Sequence, residues 1–245
     1  MPRGAGAGRR PPPARRLAFT DTHDPPVRPT LRLLCSLPIL LAACGGSGPA
    51  PAPAEPPAPV RPFAPLLAQQ VIVAPTNSLR ETDPMGWTRQ VPRSRELLRA
   101  LDSAVMKELG LRGVTKQWIW PADLERAART NPSFAQDPYT LAAAGLRAPD
   151  IPMGASVGNP LIMQLRTMVA MQENARAVLL PVELRFTRDS SGAQGVAVLR
   201  LALLDGRLGV VRWIGDVRSD PSPTFAREPL LTSLAAHIAD LIAAP

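Results

Sequence analysis

AVLLPVELRF, residues 177–186, is the stretch whose reading decides the fold. It is a nearly continuous apolar run carrying only Glu183 and Arg185 as charges, and it reads as a β-strand. Pro181 sits inside it. A proline gives no N–H to a ladder, so this strand lies at a sheet edge or carries a bulge, and Pro181 marks a candidate partner surface. Outward on the C-terminal side, Asp189-Ser190-Ser191-Gly192 reads as a turn and GVAVLRLALL, residues 195–204, as a second strand. In that strand Ala197, Leu199, Leu201 and Leu203 alternate against Arg200. Asp205-Gly206 predicts a tight hairpin turn into residues 209–218, with Val211, Trp213 and Val217 on one face and Arg212 and Asp216 on the other. A last helix, from about Pro229 to Ala243, turns Leu230, Leu234, Ile238 and Leu241 inward.

Outward on the N-terminal side, Asn159-Pro160 opens a helix with Leu161, Leu165, Met168 and Val169 on its apolar face. Residues 132–159, broken by Pro149, Pro152 and Gly154, read as a loop with one short helix from Asp137-Pro138, and this loop is the alternative to the sheet edge near Pro181 as the place of a binding surface. A helix at 122–129 precedes it. Lys116–Trp120 (KQWIW) reads as a strand, and so does Gln69–Ala74 (QQVIVA). Between these two strands, Leu97, Leu101, Val105 and Leu109 recur every four residues from a start at Ser94 to a stop at Gly110, which predicts an amphipathic helix capped by Ser94. The predicted class is α/β, a mixed α+β arrangement. A single sheet of about five strands has a parallel first half, joined by a right-handed crossover, and an antiparallel C-terminal meander, and helices cover it.

The N-terminal third has a different composition. Arg28 and Arg32 precede a mostly apolar run, Leu33 to Ala43, which ends at Cys44. This is the layout of an export signal, and the run is shorter than the roughly 20 residues a bilayer-spanning helix needs. Leu41-Ala42-Ala43-Cys44 resembles the lipobox of bacterial lipoproteins. The resemblance implies cleavage between Ala43 and Cys44, diacylglycerol on the Cys44 sulfur and acylation of the new amino group. Cys35 would leave with the signal, so no disulfide within the chain would form. The leader before the signal is long, which argues for a translation start near Val27, with an extended charged region as the alternative. Residues 44–65 hold eight prolines from Pro49 to Pro65 and almost no charge. They read as a disordered, polyproline-like tether reaching about 60 Å. The division is therefore 1–43 leader and signal, 44–65 tether and 66–245 one folded domain.

Charge narrows the function. The chain carries 28 basic and 20 acidic residues, but seven arginines and two aspartates fall within residues 1–43. The remainder is close to neutral, and the high isoelectric point is no argument for nucleic-acid binding. Past Cys44 the one histidine is His237, with no second histidine to share a metal. No metal site, cofactor or catalytic residue is expected. Gly154-Ala155-Ser156-Val157-Gly158 spells a Gly-x-Ser-x-Gly elbow, and Ser156, Asp216 and His237 follow a hydrolase order, yet prolines occupy the place of the strand an elbow needs. Trp118 and Trp120 share one strand face. They are core if a helix covers that face and a second candidate partner surface if it is open. Met163, Met168 and Met171 read as helix core, and Asp216, Arg212 and Arg218 as a solvated strand face.

The order of elements resembles a group of small periplasmic α/β domains: the amino-terminal domain of TolB and the periplasmic parts of CsgG-like and LpoB-like lipoproteins. The matching pieces are VIVAP at 71–75, the helix-to-strand segment Leu97–Trp120, the link Glu173-Asn174-Ala175-Arg176-Ala177-Val178 and the hairpin LALLDGRLGVVRW at 201–213. The resemblance implies a lipid-anchored cell-envelope protein facing the periplasm, and Gly45 after Cys44 favours the outer membrane. The expected role is non-catalytic docking or assembly with an envelope protein partner. An auxiliary lipoprotein of a transport complex, or an envelope serine hydrolase using Ser156 and His237, are the alternatives. A CsgG-like pore would need long amphipathic barrel strands, which are not seen.

Overall fold

The computed structural model describes residues 61–114, 117–172 and 175–244. The signal, Ala43, Cys44 and tether residues 44–60 lie outside the described residues. Five strands, β1 (Val71–Val73), β2 (Trp118–Ile119), β3 (Ala177–Arg188), β4 (Gly195–Asp205) and β5 (Val210–Arg218), form one mixed sheet in the order β2-β1-β3-β4-β5. β1 pairs in parallel with β2 and β3, and the rest is an antiparallel meander. Four α-helices accompany it: α1 (Ser94–Leu111), α2 (Pro121–Thr130), α3 (Leu161–Ala170) and α4 (Arg227–Asp240), with short 3-10 turns between. No helix of the described residues is long and apolar enough to cross a membrane.

The chain leaves β1 in one direction to reach β2, then passes back over β1 to reach β3. Two crossovers of the same hand and opposite direction must put their helices on opposite faces of the sheet. The packing follows that rule. α1 and α4 bury Leu97, Leu101, Val105, Leu109, Leu234 and Ile238 with Val71, Leu179, Leu199 and Leu201 on one face. On the other, α2 and α3 bury Leu124, Leu161, Leu165 and Met168 with Ile72, Val178, Leu180 and Leu204. Leucine spacing on α1 therefore gave its buried side, but Ser94 does not cap it. The flanking residue is Arg93, with no side-chain cap bond. α2 is better closed, because the Trp120 N–H donates to Asp123 Oδ2 at 3.2 Å.

β3 is a central strand between β1 and β4, so of the two readings of Pro181 the bulge holds and the edge does not. The register slips between Pro181 and Glu183: Pro181 faces Leu201, Glu183 faces Arg200, and Val182 is the extra residue. The slip exchanges the faces. Val178, Leu180 and Val182 look toward α3, whereas beyond the bulge Leu184 and Phe186 join the α1/α4 side. A second slip at Leu203/Leu204 puts Val211 and Trp213 on opposite faces, correcting the single-face reading of β5. The β4–β5 hairpin is not a tight Asp-Gly turn either. Four residues, 206–209, cross between the strands, closed by Gly209 with φ 67° and its N–H on Asp205 O at 2.7 Å. The positive φ there selects glycine. The folded unit also reaches back beyond residue 66. Phe63 is fully buried, its ring edge-on to Trp213 at 4.8 Å and its N–H on Leu241 O at 3.0 Å.

Candidate functional site

The structure buries Trp118, Trp120 and Pro181, the three residues offered as a partner surface. The two indoles lie 5.9 Å apart in the core under α1 and α4. The closed-face reading of the tryptophans holds, and neither they nor Pro181 can meet a partner. Ser156 and His237 are not brought together. Ser156 bridges to Val210 at the start of β5, while His237 Nδ1 contacts Arg218 O at 2.6 Å, at the strand's other end. Eight strand residues separate those points by roughly 26 Å, so no serine–histidine pair exists and the hydrolase alternative is overturned. His237 Nε2 stands 3.6 Å from Asp220 Oδ1. Among the described residues no group of three or more His, Cys, Asp or Glu could hold a metal ion.

The site the geometry does form is an apolar groove between α2, the 131–141 segment and α3. Leu124 and Ala128 of α2 face Met163, Met168 and Met171 of α3 and its end, and Phe134, Pro138 and Leu141 close the cavity of about 150 Å³. The methionines divide, which corrects their common reading as helix core. Met168 is core, whereas Met163 is 56% exposed and Phe134 80% exposed at the mouth. Two glutamines hold the walls together. Gln164 accepts from Ala142 N–H and donates to Gln136 Oε1, both at 2.8 Å. The signal that could have found this groove is Phe134, a large aromatic residue in a polar loop between two prolines.

A second feature lies on the α3 side of the sheet, beyond the bulge. Glu183, Arg200 and Asp216 are direct neighbours across β3, β4 and β5, and Arg185, Val198 and Arg218 form the next row. Glu183, 6% exposed, is held by Arg80 at 2.6 Å and Arg147 at 3.3 Å. Asp216 takes Arg185 at 2.5 Å and Arg200 at 3.6 Å. Arg200 also donates to the carbonyls of Leu146, Ala148 and Pro149, so the 146–149 turn stands beside the strip. Val198 is fully buried although its neighbours on this face are Arg185, Arg200 and Arg218. Arg212, read with Asp216 as one solvated face, instead joins Arg176 on Asp205, at 3.0 and 2.7 Å. Burial works against the charge on Asp205, but bonds from Leu208 N–H and those two arginines outweigh it and hold its pKa below the usual carboxylate range.

No protein-family model matches the chain, and no curated protein matches it. Among solved structures, the PelC dodecamer from Paraburkholderia phytofirmans aligns over 77% of this chain and 94% of that chain, at 17% identity and a TM-score of 0.35. A single-residue variant of that PelC in another crystal form aligns over the same shares at 14% identity and a TM-score of 0.33. At these scores the likeness bears on neither activity nor partner.

Proposed function

We propose that this chain is a lipid-anchored envelope protein, tethered through Cys44 with its domain on the periplasmic side of the outer membrane, and that the domain docks a partner protein without catalysing a reaction. The sequence from Arg28 to Cys44 supports the anchor. The observation that carries the docking role is the groove between α2 and α3, open to solvent with Phe134 and Met163 at its mouth. A cavity of about 150 Å³ takes one bulky apolar side chain, and a methionine lining adjusts to its shape. The occupant is an exposed leucine or phenylalanine of another envelope protein, and such central apolar anchors carry most of the energy of an interface.

A photoreactive residue at Phe134, introduced in intact cells, tests both halves. The expected result is one crosslinked envelope protein, lost when Met163→Glu charges the groove and lost when Cys44→Ser releases the domain from the membrane. Incorporation of labelled palmitate into the wild type but not into Cys44→Ser checks the anchor separately. Capture that survives Met163→Glu, or equal labelling of both forms, overturns the corresponding half. A captured transporter subunit would assign the protein to a transport complex.

A further inference from the structure

We infer that the end of the sheet where the chain enters the fold is a docking surface for an anionic phospholipid bilayer. Four arginines gather there around one carboxylate. Asp205 is buried, and its Oδ2 accepts from Arg176 Nε at 2.7 Å and Arg212 Nη2 at 3.0 Å. Its Oδ1 accepts from the backbone N–H groups of Arg207 at 3.2 Å and Leu208 at 3.0 Å. Arg166 of α3 donates from Nε to Arg207 O at 3.0 Å, which brings the fourth guanidinium to the same turn. The acid is buried and all four basic side chains are exposed, so the outward field is positive. Arg176 and Arg212 each spend one nitrogen on Asp205 and keep the rest of the fork. Among the described residues, Arg166 and Arg207 have no acidic partner.

Two observations select a bilayer among anions. The first is that leucines share the surface. Leu208, 52% exposed, stands in the β4–β5 turn beside Arg207. Leu67, 47% exposed, follows Leu66, which with Gln69, Arg176 and Arg212 lines a concavity of about 300 Å³. A free anion gains nothing from exposed leucines. At a bilayer they enter the interface while the guanidinium forks take lipid phosphates, and the concavity holds one such phosphate beside Arg176 and Arg212. The second is the place of entry. Leu66 and Gln69 belong to the segment that leads in from Phe63, and the chain between Cys44 and Arg61 spans no more than about 60 Å. Whatever holds Cys44 at a membrane therefore presents this end of the domain to it. Residues 44–60 carry one acidic residue, Glu55, too little to neutralise four arginines. The inference deepens the anchored reading and rests on it for the side from which the membrane comes; it makes no use of the groove.

A photoreactive residue at Leu208 in the full-length protein, mixed with vesicles of phosphatidylglycerol and phosphatidylcholine in equal parts, tests the inference. Irradiation should attach phospholipid at position 208. It should not do so at a photoreactive residue replacing Ser190, in the β3–β4 turn at the opposite end of the sheet. The adduct should fade on phosphatidylcholine alone and as salt rises. Arg207→Gln should weaken it about fivefold, the share of one guanidinium at an anionic surface, and Arg188→Gln at the far end should leave it unchanged. The Arg207 side chain is exposed, so that variant should melt with the wild type. Equal adducts at the two positions, none at either, or an adduct indifferent to phosphatidylglycerol overturns the inference. So does an adduct abolished at constant ionic strength by excess phosphate or polyglutamate, which would give the concavity to a free anion or an acidic protein. Labelled palmitate reads the anchor separately. A chain that takes the label yet gives no adduct fails here alone, and one that gives the adduct without the label fails there alone.

Discussion

Asp102 of α1 is a carboxylate in an apolar place. Its Oδ1 accepts from the Thr76 N–H at 2.9 Å and hydroxyl at 2.6 Å, while its Oδ2 is buried without a partner. Burial pushes its pKa up to about 6 although the Thr76 bonds pull the other way. The folded state therefore holds this proton more tightly than the unfolded chain, whose value is 3.8. The contribution of Asp102 to stability should be complete below about pH 4, fall as pH rises toward 6 and then level off, a loss of about 3 kcal/mol. Urea unfolding at a series of pH values should show that slope in the wild type and lose it in Asp102→Asn. Gly195 is a second sensitive position. A Cβ there would come within 2.3 Å of the Trp87 ring, whose own place is fixed by Phe186 at 5.7 Å and Phe225 at 5.9 Å. Gly195→Ala should cost about 2 kcal/mol by overpacking, read as a lowered Tm.

Elements are joined by contacts that pattern reading does not reach. Arg112, just past α1 and 7% exposed, clamps α4. Its Nη1 donates to Asp240 Oδ1 at 2.6 Å and Ala243 O at 3.1 Å, and its Nη2 to Glu108 at 3.2 Å and Ala236 O at 3.3 Å. The arginine is buried while its Asp240 partner is half exposed, so the cost of Arg112→Ala lies in the lost bonds to the Ala236 and Ala243 carbonyls and in lost packing, about 2 kcal/mol in chemical denaturation. Arg112→Lys should not restore it, because an ammonium cannot fork between two directions. The strands and helices themselves were legible. Alternation on β4, leucine spacing on α1 and the turn residues at 189–192 are local signals, and the sheet they imply is the sheet observed. The groove was legible only as the loop 132–159 that forms one of its walls, and the strip not at all, for a physical reason. Glu183, Arg200 and Asp216 become neighbours only through register, and Val182 as an extra residue sets that register. Pro181 advertised an irregularity without saying which side chains it would re-aim. Met163 lies about 140° round α3 from Met168, off the face of Leu161, Leu165 and Met168, so reading the methionines together as core overlooked the helical period.

At the scale of the whole molecule, the folded unit depends on Phe63, which composition assigned to the tether, as well as on Leu66 at its expected start. Phe63 and Leu66 are buried on the α1/α4 side. A chain beginning at Arg61 should melt like the full protein, whereas one beginning at Gln69 should lose about 4 kcal/mol, the burial of two large apolar side chains. Comparing the two melts measures it. The position of Phe63 has a mechanical side as well. Its amide is bonded to Leu241, near the end of the last helix, so the polypeptide enters the fold beside the place where it finishes. A tug transmitted from a lipid anchor would reach this corner first and have to uncork an aromatic plug before any strand felt the load. The sheet would keep its ladder under tension, and the domain could be strained between membrane and partner while its surfaces stayed in shape.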